Sequence, residues 1–139
     1  MAKKEVLLKW TGDKQFIGTD SGKHSIVISS HDDANNTGMS PSQLLLLALA
    51  SCSAYDVVDI LQKKRLQLDG LYVTVLGEQE PEPPWTYRKI HLKFVLNGPD
   101  LTDKAVEQAI ELSITKYCTV AATVSGKAEI THEFEIPGK

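Results

Sequence analysis

A chain of 139 residues is the usual size of one domain, and with 42% apolar and 24% charged residues it can build a core without metal or disulfide staples. A net charge of −3 with scattered Lys and Arg offers no basic stripe for nucleic acid, and no leader with a basic start, apolar run and small-residue cleavage site is evident. The longest apolar run, residues 44–50, falls short of the ~20 residues that span a bilayer, so a soluble cytoplasmic protein with a single domain over residues 1–139 is expected, without nucleic-acid or membrane partners.

The N-terminal third reads as strands. Residues 5–10 are extended and mostly apolar, residues 15–19 follow a Gly12-Asp13 turn, and residues 24–30 alternate with Ile26 and Ile28 on one face. A polar loop, 31–39, carries the turn residues Asn35, Asn36 and Gly38. A helix then starts clearly: Ser40 fits the N-cap, Pro41 the first helical position, and Gln43 the capping-box position. Its body is apolar almost all round, from Leu44 through Val57, Val58, Ile60 and Leu61, and Lys63, Lys64 and Arg65 suit its C-terminal dipole. It is expected to end before Asp69-Gly70.

Residues 71–78 alternate as a strand, 81–85 form an acidic Pro-rich loop, and 88–96 alternate with Ile90, Leu92, Phe94 and Leu96 on one face. Thr102, or the Pro99-Asp100 pair, opens a second helix whose apolar positions include Ala105, Val106, Ala109 and Ile110. A short helix over 118–124 closes at Gly126, and the last strand, 127–136, puts His132 on its apolar face. His91 falls on a polar face, while His24 and His31 stand alone. Strands, long helix, two strands, helix and strand make an α+β fold with segregated antiparallel strands. A central helix of about 24 residues would be ~36 Å long. One chain of this size does not wrap it on every side, which predicts a two-fold homodimer.

Cysteine is the only conspicuous nucleophile: no CxxC, Walker loop, HExxH or GxSxG is present, and the histidines lie apart in sequence, so no metal site is expected. Cys52 sits mid-helix among Ala50, Ser51, Ser53 and Ala54, with Asp56 one turn on and on the same face. Cys118 follows Lys116-Tyr117 where the second helix breaks, and a cysteine at a helix start beside a lysine gains thiolate character. The alternative is that both thiols merely pack as small hydrophobes.

The run Ser40-Pro41-Ser42-Gln43-Leu44-Leu45-Leu46, then Ala48-Leu49-Ala50-Ser51-Cys52 and Asp56-Val57-Val58, resembles the first cysteine signature of the OsmC/Ohr family, and Tyr117-Cys118-Thr119-Val120 resembles its second. Gly77-Glu78 before a Pro-rich stretch, with Ile90-His91-Leu92 after it, is similar to the OsmC-like branch. The resemblance implies an intertwined homodimer, with two long central helices wrapped by antiparallel sheets from both chains. It also implies a peroxidatic Cys52, oxidised by an organic hydroperoxide and resolved by Cys118 as an intrachain disulfide, with an external dithiol of lipoyl type as reductant and no bound cofactor. Peroxidases of the family set the thiolate with an N-terminal arginine and a glutamate after the helix-start proline. Here Ser42 holds that glutamate position beside neutral Gln43, Gln79 stands where the OsmC-like branch often has arginine, and no arginine precedes Arg65. Lys14 or Lys23 would have to substitute, without a guanidinium fork. The second reading keeps the fold and makes the dimer-interface pocket a non-catalytic binding site for a small apolar or thiol-reactive ligand.

Overall fold

The computed structural model describes residues 1–138. They form strands β1 (Leu7–Gly12), β2 (Gln15–Thr19) and β3 (Ser25–Ser29), helix α1 (Pro41–Lys63), strands β4 (Gly70–Gln79) and β5 (Tyr87–Asn97), helix α2 (Asp103–Leu112), a π-helical turn (Ser113–Tyr117), helix α3 (Thr119–Val124) and strand β6 (Glu129–Glu135). The fold is α+β. The chain divides into two compact units, Met1–Leu45 and Leu46–Lys139, with the boundary inside the first turns of α1.

The N-terminal unit is a three-stranded antiparallel sheet in the order β1-β2-β3. Pairing of Leu8 with Gly18 and of Gly18 with Ile26, and of Trp10 with Phe16 and of Phe16 with Ile28, gathers an apolar face. The unit buries little of it: Phe16 and Ile28 are half-buried, whereas Leu8, Trp10 and Ile26, like Ile17 and Val27 on the other face, are exposed. Its buried residues, among those described, are the polar Ser29 and Asn35. Hydrogen bonds rather than a core hold the following loop in place. Asn35 Oδ1 accepts from Lys14 N at 3.2 Å, Ser29 Oγ accepts from Gly38 N at 2.9 Å, and Met39 N donates to Val27 O at 3.2 Å. Gly38 lies so close to β3 that a Cβ there would stand 2.4 Å from the Val27 carbonyl oxygen.

Helix α1 starts as its sequence dictates. Ser40 Oγ accepts from Gln43 N at 3.4 Å and donates to Gln43 Oε1 at 3.1 Å, and Leu44 N reaches Ser40 O. It stops earlier than the Asp69-Gly70 signal. Arg65 takes the left-handed conformation (φ 59°) and closes a Schellman motif, with Arg65 N on Gln62 O and Leu66 N on Leu61 O. At 23 residues with mean hydropathy 1.9 across its most apolar stretch, α1 is long and apolar enough to cross a bilayer, which the 44–50 run alone is not. Core helices meet the same criterion, and Leu49, Val57 and Leu61 of α1 lie in one cluster with Ile90, Leu92, Phe94, Val106 and Ile110. Leu47 and Tyr55 remain exposed, so one chain covers only part of the helix.

The larger unit carries its own sheet, β4-β5-β6. Leu71, Val73 and Val75 of β4 share the inner face with Ile90, Leu92, Phe94 and Leu96 of β5 and with Ile130, His132 and Phe134 of β6. The β4–β5 pair is antiparallel, but β5 and β6 run parallel, from Lys89 against Glu129 to Val95 against Glu135. All-antiparallel strands, expected from sequence, thus hold for β1–β3 and β4–β5 and not for β6. The reason is topological: α2, the π-helical turn and α3 form a crossover that returns the chain in the same direction. Thr102 caps α2, its Oγ1 accepting from Ala105 N at 3.1 Å. Gly98 packs against the backbone before β4, where a Cβ would lie 2.2 Å from Gln67 O. Gly98→Ala should therefore lower unfolding free energy by about 1–3 kcal/mol, as overpacking does, read from the urea midpoint at unchanged slope.

Candidate functional site

Cys52 reaches the middle of α1 half-buried, and Cys118 is 2% exposed at the junction of the π-helical turn and α3. Both thiols are free, and the fold of the larger unit brings them from distant points of the sequence near enough for Cys52 to bear on the ionisation of Cys118. Cys118 is the N-cap of α3, and its Sγ accepts from Ala121 N at 3.3 Å. The placement at a helix start is as expected; the ionisation is not. Burial, and then the Cys52 thiol beside it, pushes the Cys118 thiol up from 9.0 to about 11, outweighing the opposing N–H groups of Ala121 and Val120. The sequence-adjacent Lys116 does not act as a local cation there; its Nζ sits 5.3 Å from the centre of the Tyr117 ring.

The other side chain the sequence placed near Cys52 finds a definite role. Asp56 Oδ2 accepts from Ser113 Oγ at 2.8 Å, and Ser113 Oγ also lies 3.0 Å from Ser53 Oγ. Ser53 and Ser113 are fully buried. Sequence reasoning treated Ser53 only as a small neighbour and missed Ser113. A signal was present: Val106, Ala109, Ile110 and Ser113 continue one helical stripe, and the last member is polar where the others are core. A cavity of about 510 Å³ opens beside this cluster, lined by Asp56, Ile60, Lys63, Leu112 and Tyr117 among others.

The remaining sequence candidates lie elsewhere. Ser42 and Gln43 are in the first turn of α1, within the N-terminal unit, with Gln43 engaged in the cap. Lys14 and Lys23 are exposed in the turns flanking β2, Lys23 with φ 67°. Several cations of the larger unit have partners away from the thiols: Lys63 with Asp59 at 3.0 Å, Lys64 with Gln108, and Arg88 with Glu80 at 2.7 Å. His91, on the outer face, bonds Thr131 and Glu133 across the parallel pair. His132, on the inner face, lies 3.4 Å from Glu107 and 3.9 Å from Glu111. These three donors, all within 4.8 Å of one another, are a set that could hold a metal ion. Spacing could not show it, because Glu107 and Glu111 are one helical turn apart while His132 comes from β6.

The OsmC-like protein family model matches residues 32–133. The chain belongs to the OsmC family. It is 36% identical over 129 residues to Protein YhfA of Escherichia coli K12, covering 93% of this chain and 95% of that protein. Among solved structures, a protein of Aquifex aeolicus VF5 superposes with a TM-score of 0.83 at 33% identity, covering 98% of each chain. The organic hydroperoxide resistance protein OhrB of Bacillus subtilis shares the fold, with a TM-score of 0.64 at 16% identity over 96% of this chain and 98% of its own.

The raised Cys118 thiol has a consequence for stability. The native thiol holds its proton to about 11, whereas the ordinary thiol ionises near 9.0, so between those values unfolding releases a proton. This contribution is intact below pH 9 and is lost as pH rises toward 11. Urea midpoints should fall over that window, and Cys118→Ala should remove part of the fall.

Proposed function

We propose that the protein is a thiol-dependent hydroperoxide reductase in which Cys52 attacks and Cys118 resolves. The observation that carries this reading is the neighbouring pair of free thiols, one half-exposed and the other buried, at the positions of the two cysteine signatures. Cys52–SH and ROOH give Cys52–SOH and ROH: the O–O bond breaks, an S–O bond forms, and the alcohol leaves with the remaining oxygen. An external dithiol of lipoyl type restores both thiols by exchange. The reaction is placed in the cytoplasm, where thiols stay reduced between cycles. The name of the OhrB relative supports a hydroperoxide as the oxidant class.

The working unit in this reading is a homodimer. The apolar face of β1–β3 and the uncovered side of α1, with Leu47 and Tyr55, need a covering surface, and a second copy of the chain supplies one. The cation that sharpens Cys52 then comes from a partner's N-terminal unit, for which Lys14 and Lys23 are the candidates. Trp10→Glu, which puts a charge on the exposed apolar face, should shift the protein from dimer to monomer in size-exclusion chromatography with light scattering.

Purified, reduced protein should consume cumene hydroperoxide and lose two thiols per chain, with peptide mapping showing Cys52 joined to Cys118. Cys52→Ser should abolish consumption, and Cys118→Ser should stop at a sulfenic acid. Free thiols that survive excess peroxide would sink the proposal. That result would favour the binding alternative, a same-fold protein holding a small apolar or thiol-reactive ligand. The neutral Ser42 and Gln43, where a charged group is expected, are the observation on its side.

A further inference from the structure

Ser113 touches both sulfur-bearing elements at once. Its carbonyl oxygen accepts the Cys118 N–H at 2.7 Å, the five-residue hydrogen bond that closes the π-helical turn. Its hydroxyl meets α1 at Ser53 Oγ (3.0 Å), Ser53 O (3.4 Å) and Asp56 Oδ2 (2.8 Å). A hydroxyl has one proton to donate. The shortest of these contacts, to the Asp56 carboxylate, takes it, and the two to Ser53 are longer alternatives for the same proton. Ser53 is the residue next to Cys52, and Asp56 is one helical turn further along. No other residue described above links the main chain of one cysteine to the helix of the other.

We propose that Ser113 is a positioning residue for disulfide formation: its side chain clamps the π-helical turn to α1, and its carbonyl fixes where Cys118 emerges, so that the two sulfurs stay in contact. This deepens the thiol-pair reading above and rests on it. The step it serves is Cys52–S–OH plus Cys118–SH giving Cys52–S–S–Cys118 plus water. The S–O bond breaks, the S–S bond forms, and the thiol proton leaves with the hydroxide. Cys118 is a poor nucleophile while it keeps its proton, so the step depends on holding the sulfurs together for long periods. Two fully buried hydroxyls, beside a half-buried carboxylate, in an otherwise apolar helix contact are costly unless bonded. That cost is borne where α1 meets the turn that leads into Cys118.

A buried serine that serves packing alone would change stability without separating the two oxidation steps. The test reads that separation. Reduced wild-type, Ser113→Ala and Cys118→Ser proteins are mixed with cumene hydroperoxide and quenched over time with dimedone, and adduct and disulfide are counted by mass spectrometry. Ser113→Ala should keep the rate of Cys52 oxidation within twofold, slow disulfide closure at least tenfold, and accumulate the adduct as Cys118→Ser does. Ser113→Thr, which keeps the hydroxyl, should restore much of the closure rate. Should Ser113→Ala fail to fold, Asp56→Asn is the second variant and should slow closure in the same direction. Closure as fast as wild type in a folded Ser113→Ala or Asp56→Asn protein overturns the inference.

A second measurement needs no peroxide. In glutathione redox buffers, the equilibrium constant for the Cys52–Cys118 disulfide should fall at least tenfold in Ser113→Ala, and an unchanged constant counts against the clamp. If peroxide yields no adduct in Cys118→Ser while the glutathione constant still falls in Ser113→Ala, the peroxidase reading has failed and the clamp stands.

Discussion

The apolar circumference of α1 is the constraint on which the other features depend. Leu49, Val57 and Leu61 are sealed by the sheet β4-β5-β6 and by α2, forming one cluster with Phe94, Leu92 and Ile110. A helix built this way tolerates few polar groups on its inner side, and those facing α2 and the turn after it are placed with partners. Ser53 and Asp56 find Ser113, and Cys52 finds Cys118. The chemistry-bearing residues are therefore held by the same contact that fills the core. Substitutions along the 52–61 stretch should be expected to disturb packing and thiol geometry together.

The two units stand in different physical situations. The larger one owns a cluster of fully buried side chains on both helices and the sheet. The N-terminal one is organised by pairing and by side-chain hydrogen bonds to Asn35 and Ser29, with most of its large apolar residues in solvent. A three-stranded sheet of that size has too little of its own to bury. Its apolar residues are thus best understood as surface made for covering something, which is the physical content of the proposed dimer.

Much of this was legible in the sequence. The Ser40 cap on Gln43, the Thr102 cap and the alternation of β4, β5 and β6 each depend on near neighbours, and each appears within a residue or two of its expected place. What depends on distant neighbours was not readable. The parallel direction of β6 follows from the crossover, since alternation looks the same in either direction. Arg65 in a left-handed conformation replaces the expected glycine stop, because the Schellman bonds and the partly buried Leu66 fix the turn. The sign of the Cys118 shift was misread because a helix start and a nearby lysine are visible in sequence, whereas burial against Cys52 is a tertiary fact. The Ser113 bonds to α1 span some sixty residues of chain and leave only a polar break in a helical stripe as their trace.

The unequal exposure of the two thiols also imposes a direction on any exchange at this site. An incoming thiolate that meets a closed Cys52–Cys118 bridge can approach the half-exposed Cys52 sulfur, while the Cys118 sulfur, 2% exposed, is shielded. Attack at Cys52 makes Cys118 the group that must depart. Burial of the Cys118 sulfur makes its departure slow unless a proton arrives as the bond breaks. In the proposed cycle the bridge would thus resist casual reduction by small monothiols, and a reductant carrying a second thiol close to the first would complete the exchange before it reverses.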